Sequence, residues 1–476
     1  PDWGSTSIPT SCGSTAWTAD QATGDKPMAL GDHVADRQPT RVRWQVFALA
    51  FGTSFLLYLH RYTFAFIKPI LQKEWELTNT ELGDLDSGFA ICYSVFQFPL
   101  AVVADWLGVH IMLGGLMGVW CGGLAFLALA TSTSWLWWGL ALLGTGQSAV
   151  YACLNRVARN WFPYRIRTTL QGAVGILAGR LGALGSSVFF TTFLLGICQF
   201  DWRTAVWILT AIGVAHLMWF VVAFRNQPQS HPGVNDAERQ LIREGEPGLV
   251  TPTATQAAKG ASQHSRWRSL SPAGVWNLAM LSLQTLLSTF ADNIYSNWIP
   301  QFLSQVHDLE YKRMGIFAAL PLLGGALAGV VGGWLNDACI ARTGNRRWSR
   351  VGVALTGKGL AACWMGIALL FYDRPYVFCA LLFLVKFFGD WSLATAWGVV
   401  TDIGGPITAS VFAFSNSVAG IALIVAPRVI GRVADMYGWR MVFIMVAATY
   451  AACAASWLWI NCTVPLLART ESSASA

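Results

Sequence analysis

Long apolar runs separated by short polar segments cover most of the chain. An apolar run of about 20 residues is long enough for one α-helix to cross a bilayer. Because hydrocarbon offers the backbone no hydrogen-bond partner, each run is predicted to be a helix. We find about twelve such runs, at roughly 44–67, 83–104, 111–130, 135–160, 168–198, 203–224, 273–303, 313–335, 351–371, 375–400, 408–432 and 439–462.

The long polar segment at 225–272 divides these runs into six and six. The pattern predicts an all-α membrane protein with twelve transmembrane helices in two pseudo-symmetric six-helix bundles, at 44–224 and 273–462. The segment between the bundles is predicted to be a cytoplasmic loop. Residues 1–43 are polar and rich in small side chains, so we expect a disordered cytoplasmic tail there, and residues 463–476 form the predicted C-terminal tail.

The composition excludes an ordinary soluble domain. Only 12% of the residues are charged and 54% are hydrophobic, whereas a soluble domain carries about 25% charged residues. Most of the ten cysteines lie inside apolar runs and none forms a C-x-x-C pair, so we interpret them as packing residues. We predict no metal, no cofactor, no nucleic-acid partner and no enzymatic activity, since no ligand spacing or catalytic constellation is present.

The basic residues indicate the orientation of the chain. Arginines cluster at 37–43, 159–167, 239–268 and 342–350, and all four clusters fall on one side if both termini are cytoplasmic. The opposite loops are short and poorer in lysine and arginine. We therefore expect a multi-pass protein of a plasma membrane or bacterial inner membrane, surrounded by lipid and monomeric.

The two halves resemble each other. Asp105 and Asp337 follow the second and eighth runs and lie 232 positions apart, while Trp202 and Trp439 open the sixth and twelfth runs and lie 237 positions apart. A nearly constant offset indicates parallel repeats, which are typical of transporters whose halves rock about a site at the membrane midplane.

Arg61 is the most informative single residue, because it lies in the outer half of an apolar run. A guanidinium at membrane depth costs about 2.5–3.5 kcal/mol and stays charged, so it normally faces water or a partner. Arginine also binds carboxylates through two parallel hydrogen bonds. We predict that Arg61 contacts an anionic substrate together with Tyr58, which shares its helix face. The alternative is a structural ion pair with Asp292 or a residue of the second run.

Two polar stripes also predict a cavity. Asp86, Tyr93 and Gln97 follow one face of the second run, and Gln147 and Tyr151 follow one face of the fourth. A polar stripe on an apolar helix should face water or ligand, which makes Tyr93, Gln97, Gln147 and Tyr151 candidate substrate-binding residues. Hydrogen bonding between helices is the alternative.

Further candidates lie in the fifth, tenth and eleventh runs. Arg180, deep in its run, is either a second substrate anchor or half of a structural pair. Lys386 and Asp390 lie four positions apart and could neutralise each other, or could form a switch in which a ligand carboxylate takes the lysine. Trp397 could stack on a sugar ring or lie at the membrane interface, and Asn416 is a further substrate-binding candidate.

Proton coupling has three candidate residues. An unperturbed imidazole titrates near pH 6.5, so His60 could carry a proton, although a lone intramembrane histidine is often only hydrogen-bonded. The carboxyl groups of Asp292 and Asp390 are the other candidates. Asp105 and Asp337 are predicted to cap helices and to close a gate on the cytoplasmic side, with basic partners at Arg159 and at Arg346 or Arg347.

One motif is misleading. The stretch 352–359 nearly spells a phosphate-binding loop, but no serine or threonine follows Lys358, and the stretch opens an apolar run. We do not predict ATP binding there.

The residues that follow the second and eighth runs, at 101–110 and 333–347, resemble the loop signature of the major facilitator superfamily, more clearly in the second half. Within that superfamily the chain is similar to the anion:cation symporter family, which includes bacterial sugar-acid symporters and animal organic-anion carriers such as sialin. The segments that carry this similarity are 58–61, 93–99, 155–163 and 231–238.

The resemblance implies proton- or sodium-coupled transport of a carboxylate, with Tyr58, Arg61 and Tyr93 in contact with the substrate. Family members usually carry an acid where this chain has His60 and a glutamate where it has Gln147. Both positions are linked to proton coupling in the family, so the coupling ion stays open.

We therefore predict a secondary transporter for a small organic anion, for example a sugar acid, that works by alternating access. Proton symport is the leading hypothesis for coupling. Sodium coupling or uncoupled transport is the alternative, and a transporter-like sensor without flux is a different class of function. A bound cargo and a coupling ion, H⁺ or Na⁺, are the expected partners.

Overall fold

The computed structural model describes residues 38–244 and 270–467, and its regular backbone there is helical apart from one isolated bridge between Leu270 and Leu467. Two π-helical stretches, Ala173–Leu177 and Ser186–Ile197, flank a short helix in the first half. The helices of this half are α1 Val42–Trp75, α2 Asn79–Leu107, α3 Val109–Ala128, α4 Thr133–Ser148, α5 Val150–Trp161, α6 Tyr164–Gly172, α7 Ala178–Gly185 and α8 Trp202–Ala223.

The second half has the same helical character. A short helix, α9 Asp236–Arg243, lies between the halves. The remaining helices are α10 Pro272–Asn297, α11 Ile299–His307, α12 Tyr311–Thr343, α13 Arg346–Leu370, α14 Pro375–Gly389, α15 Trp391–Gly404 and α16 Thr408–Ser456, and short 3₁₀ turns lie at Pro228–Ser230, Gly405–Ile407 and Trp457–Trp459.

All twelve predicted apolar runs fall on helical backbone, but several are interrupted. The runs at 135–160, 273–303 and 375–400 are each divided between two helices. The last two runs form the continuous α16, which bends at Gly438, where φ is +77°. Within the described residues, nine helices are long and apolar enough to cross a membrane. The all-helical fold is therefore as predicted, whereas twelve membrane crossings stay a prediction.

The predicted tails and loop are only partly visible. Residues 1–37, 245–269 and 468–476 lie outside the described residues, and with them most of the predicted disordered tail, part of the central loop and part of the C-terminal tail. The described part of the loop contains α9, whose Glu238 is fully buried. The Glu238 carboxylate accepts hydrogen bonds from the backbone and side chain of Arg43, both at 3.0 Å, and so holds the start of α1.

Side-chain caps explain where several helices begin. Thr78 and Glu81 form a reciprocal capping box at the start of α2, which satisfies two backbone N–H groups. Asp201 caps α8 by accepting from the backbone N–H of Thr204 at 3.0 Å. The hydrogen bonds that Thr204 donates lower the pKa of the Asp201 carboxyl.

The two halves are joined at one end of the bundle. Asp435 of α16 accepts from the backbone N–H groups of Asn79 at 3.1 Å and Thr80 at 2.8 Å, at the start of α2. Lys68, near the end of α1, donates to the carbonyl oxygen of Asn297 at 3.0 Å. Further hydrogen bonds and ion pairs between α1–α8 and α10–α16 lie at this end or at the depth of Arg180.

Candidate functional site

Arg61 of α1 lies in an aromatic box inside the first half. Its Nε donates to Oε1 of Gln147 at 3.0 Å. Its guanidinium carbon lies 5.1 Å from the ring centroid of Tyr58, 5.2 Å from that of Phe89 and 4.7 Å from that of Tyr93. Cation–π contacts of this kind stabilise a desolvated cation without neutralising it. The positive charge therefore stays available to an anion.

The amide of Gln147 is oriented by a second hydrogen bond. Its Nε2 donates to the carbonyl oxygen of Leu57 at 3.1 Å, so Oε1 faces the guanidinium. Nη2 of Arg61 is buried and has no hydrogen-bond partner in the described residues, and the guanidinium forms no ion pair with any of them. Arg61 lines a cavity of about 200 Å³ between the halves, together with Thr289 and Asp292 of α10.

A chain of charged side chains lies beside this cavity and crosses between the halves. Arg180 of α7 contacts Asp390, with Nη2 and Oδ2 3.0 Å apart. Lys386 of α14 bridges two carboxylates, with its Nζ 2.6 Å from Oδ1 of Asp390 and 2.9 Å from Oδ1 of Asp292. Two cations and two anions form a neutral group, which lowers the cost of holding four charges inside the protein.

Small residues allow this chain of charges to form. Gly182 of α7 faces the carbonyl oxygen of Phe55, where a Cβ atom would clash, so α7 can lie directly against α1. Gly325 of α12 faces the carboxylate of Asp390. A Cβ atom at this position would clash with the carboxylate, so a larger residue would fit only if the carboxylate moved. The close packing brings Arg180 within reach of the second half.

Lys358 of α13 extends the charged group on its other side. Its Nζ donates to Oγ of Ser288 at 2.7 Å and lies 5.2 Å from the ring centroid of Tyr450. Ser288 donates to Oδ2 of Asp292 at 3.4 Å, and the hydroxyl of Tyr450 donates to Oδ1 at 2.7 Å. Lys358 is only 1% exposed, and it forms no ion pair with any described residue.

A second cavity of about 190 Å³ brings the candidate residues of the second half together. Its lining includes Arg180, Lys358, Lys386, Asp292, Asp390, Trp397 and Asn416. Asp292 and Thr289 line both this cavity and the cavity at Arg61, so the two spaces meet at α10. Together they form a polar, positively charged chamber between the two halves.

A family comparison identifies the protein class. The family model of the Major Facilitator Superfamily matches residues 50–362 and 281–475, which together cover most of the sequence. The chain belongs to the Major Facilitator Superfamily. It is therefore a multi-pass membrane protein of a transporter family rather than an enzyme.

Three similar proteins carry the names of organic-anion transporters. The chain is 27% identical to the probable sulfoacetate transporter SauU of Cupriavidus necator, over 90% of this chain and 96% of the relative. It is 24% identical to the D-galactonate transporter of Escherichia coli O6:H1, over 86% and 94%, and 24% identical to the hexuronate transporter of Escherichia coli K12, over 85% and 91%. The resemblance to the sugar-acid and organic-anion branch is confirmed.

Solved structures confirm the superfamily fold. An inward-facing, unoccupied bacterial homologue of the human lysosomal transporter Spinster superposes with a TM-score of 0.65 at 16% identity, covering 88% of this chain and 95% of that one. The nucleoside transporter NupG superposes with a TM-score of 0.62 at 14% identity, covering 88% and 100%.

Within this superfamily fold, the predicted residues fall into two groups and several outliers. Tyr58, Tyr93 and Gln147 surround Arg61, and the other polar candidates line the second cavity. Three of the predicted binding and coupling residues belong to neither group. Gln97 lies exposed on α2. Tyr151 hydrogen-bonds Ser54 at 2.9 Å and lines a separate cavity of about 20 Å³.

His60 is the third outlier. It is fully buried, and its ring lies 6.5 Å from that of Trp120 on α3, within the first half. No side chain of the described structure hydrogen-bonds either of its ring nitrogens. A residue in this position has no direct access to either cavity.

The candidate gating aspartates have partners other than the expected ones. Asp105 accepts from Nη1 of Arg156 at 2.6 Å, rather than from Arg159. Asp337 accepts from the side-chain amide of Asn336 at 3.1 Å, and no ion pair joins it to another described residue. Arg346 instead lies 3.8 Å from Asp402, which shows that the basic cluster of the second half pairs with α15.

The sequence reasoning missed several residues of the site. Lys358 was noticed only as part of a false phosphate-binding motif, although a lysine in an apolar run is itself a signal. Phe89, Ser288 and Tyr450 carried no such signal, because aromatic and hydroxyl side chains are common in membrane helices. Lys68, which directly follows the first apolar run, is fully buried and ion-paired to Asp86.

Proposed function

We propose that this protein is a secondary active transporter that moves a small organic anion across the membrane by alternating access. The observation that carries the proposal is Arg61, a half-buried guanidinium that lines a cavity between the halves and forms no ion pair with any described residue. The relatives named for sulfoacetate, galactonate and hexuronate support an anionic cargo, since all three compounds are carboxylates.

Arg61 would bind the cargo carboxylate through its Nη groups, because Nε is already engaged by Gln147. Tyr58 and Tyr93 flank the guanidinium and would contact the cargo beside the carboxylate. Trp397 and Asn416, at the second cavity, would contact the remainder of a sugar-like cargo. A hydrophobic ring face and an amide are the groups that typically recognise a hydroxylated carbon chain.

Alternating access requires that the contacts at the joined end break. The hydrogen bonds of Asp435 with Asn79 and Thr80, and of Lys68 with Asn297, would then be replaced by contacts at the opposite end. Each of these hydrogen bonds involves a charged group and contributes about 1.5–3 kcal/mol net, and the contacts formed at the opposite end would offset this loss, so a small cargo can shift the balance between the two arrangements. Asp105 and Asp337 would take part in the contacts at the second gate.

Proton symport is the leading proposal for coupling, with Asp292 and Asp390 as carriers. Both carboxylates line the cavity and contact Lys386, so cargo binding and protonation would act on the same group of charges. His60 is the weaker candidate because it packs away from both cavities. Sodium coupling, uncoupled transport and a sensor without flux are the alternatives.

Uptake of radiolabelled D-galactonate and sulfoacetate by proteoliposomes tests the proposal. We expect accumulation when an inward proton gradient is imposed, and loss of uptake in Arg61→Ala. Arg313→Ala, at an exposed arginine of α12, is the matched control and should transport normally. Uptake that ignores the pH gradient would reject proton coupling. Binding without uptake would favour the sensor, and normal uptake by Arg61→Ala would reject the site.

A further inference from the structure

Two cations of the chamber form no ion pair with any described residue. Lys68 pairs with Asp86, and the Arg180–Asp390–Lys386–Asp292 chain is neutral as a group. The remaining charged residues that line the two cavities are Arg61 and Lys358. Arg61 belongs to α1 in the first half, and Lys358, which is linked to Asp292 through Ser288, belongs to α13 in the second. The chamber therefore carries two more positive than negative charges, and the two cations outside its ion pairs lie one on each half.

We propose that the cargo is a dianion, and that Lys358 binds its second anionic group while Arg61 binds the first. This inference rests on the proposed function, since it concerns the same chamber and adds the charge class of the cargo. A monoanion would leave one buried cation without a counter-charge, which is costly in a low-dielectric site. A dianion compensates both.

The surroundings of Lys358 leave its ammonium group able to bind. An ammonium group has three donors, and Ser288 is the only hydrogen-bond acceptor that Nζ has among the described residues. Tyr450 presents its ring face, which stabilises the cation without accepting a hydrogen bond. Two donors thus stay free beside the cavity that Lys358 lines.

The position of Asp292 makes a bridging cargo possible. Asp292 and Thr289 line both cavities, and Ser288, the partner of Lys358, lies one helical turn before Asp292 on α10. A carbon chain lying along α10 would therefore reach from the Arg61 cavity to the Lys358 cavity. The Asp292 carboxylate does not repel such a cargo strongly, because Lys386 and Tyr450 already contact its Oδ1 atom.

A bridging dianion would also connect the two halves. One of its ends would be held by α1 and the other by α13, so full binding requires a particular separation of the halves. A monoanion held by Arg61 alone places no such demand. Lys358 is thus proposed as a specificity-determining residue that makes movement of the halves faster with a doubly charged cargo than with a monoanion such as D-galactonate.

Paired probes that differ by one charge test the proposal. Glucarate and gluconate differ only in a terminal carboxylate in place of a hydroxymethyl group, and sulfoacetate and isethionate differ in the same way on a shorter chain. Affinity is measured by thermal shift and by inhibition of counterflow in proteoliposomes. For the wild-type protein, at least one dianion should bind about tenfold or more tightly than its matched monoanion.

Variants of Lys358 separate binding from packing. Lys358→Met should remove the tighter binding of the dianion and leave affinity for the monoanion within about threefold of the wild-type value. Lys358→Arg should still bind the dianion more tightly than the monoanion. Lys312→Met, at an exposed lysine near the start of α12, should change neither affinity. Elution of Lys358→Met as a monodisperse peak checks its folding, and the wild-type ratio tests the proposal even if that variant misfolds.

Two results would overturn the inference. One is a wild-type protein that binds each monoanion as tightly as its dianion. The other is a Lys358→Met variant that weakens both members of a pair equally, which would make Lys358 a packing residue. Failure of the proposed function is a distinct result: none of the four anions would bind, and Arg61→Ala would change nothing.

Discussion

Arg180 and Asp390 form an ion pair of 3.0 Å between the two halves, although 210 positions separate them in the chain. The Asp390 side chain is 5% exposed and that of Arg180 is 25% exposed, so the contact lies deep in the chamber. Lys386 contacts the other oxygen of the same carboxylate at 2.6 Å. Asp390 therefore connects the contact between the halves to the other charges of the chamber.

We expect this connection to show as non-additive effects on stability. Asp390→Asn leaves two cations with one carboxylate and should lower the melting temperature more than Arg180→Gln does. The double variant should lose less than the sum of the single losses, with a coupling of roughly 1–3 kcal/mol. Melting of the purified proteins in detergent provides the measurement. Additive losses would show that the contact contributes no energy.

Because Gln147 hydrogen-bonds Arg61, we expect an acid at position 147 to change the affinity for anions. Gln147→Glu should place a carboxylate beside the guanidinium and weaken anion binding about tenfold at neutral pH, because the new charge competes with the cargo. Protonation of the glutamate removes the competing charge, so affinity should recover as the pH falls. Thermal shift with D-galactonate across pH tests this.

The matched control for that substitution is Gln97→Glu, at an exposed glutamine on α2 that lines neither cavity. It should leave affinity and its pH dependence unchanged. Equal weakening in both variants would mean that general surface charge, rather than contact with Arg61, determines the effect.

The hydrogen bonds of Asp435 are expected to influence the balance between the two arrangements of the halves. Its carboxylate accepts from the backbone N–H groups of Asn79 and Thr80 and from both of their side chains, at 2.7–3.1 Å. Asp435→Ala removes these bonds and should increase the population open at this end by roughly tenfold. Spin labels at positions 76 and 436, after replacement of the native cysteines, should report longer distances.

Asp373→Ala removes an exposed carboxylate from the loop between α13 and α14 and is the control, since this loop makes no hydrogen bond to the first half. It should leave the distance distribution unchanged. Unchanged distances in Asp435→Ala would mean that apolar packing alone holds this end closed.

If Asp292 carries the coupled proton, its substitution should change how uptake depends on the proton gradient. Asp292→Asn cannot take up a proton, so uptake should persist but lose most of its acceleration by an imposed gradient. Asp402→Asn is the control, because Asp402 pairs with Arg350 at 2.9 Å and lines neither cavity. Gradient-driven uptake that persists in Asp292→Asn would move the coupling role to Asp390.

Much of the fold could be predicted because the bilayer imposes a length on each helix. The runs at 44–67 and 83–104 match α1 and α2 in order and position. The interruptions at Trp298 and Asp390 were not predicted, since an apolar run continues across both and only local backbone geometry divides the helices. The helical period also predicted correctly that Tyr58 and Arg61 share a face.

The partners of the charges could not be predicted. Helical periodicity indicates which residues share a face, but not which helix that face meets. Asp105 was expected beside Arg159 and contacts Arg156 instead, one helical turn earlier. His60 and Arg61 are neighbours in the chain, yet one packs against α3 and the other lines the cavity, because adjacent residues on a helix point about 100° apart.

The sequence by itself determined a helical membrane protein with an arginine inside an apolar helix, because the length of each hydrophobic run and a charge within it are visible along the chain. Only the tertiary structure decided which charges are neutralised. Among the described residues, Arg180 and Lys386 form ion pairs with carboxylates, whereas Arg61 and Lys358 form none. That outcome depends on how closely helices from distant parts of the chain approach one another. The apolar pattern predicts each helix separately and does not indicate the distances between helices.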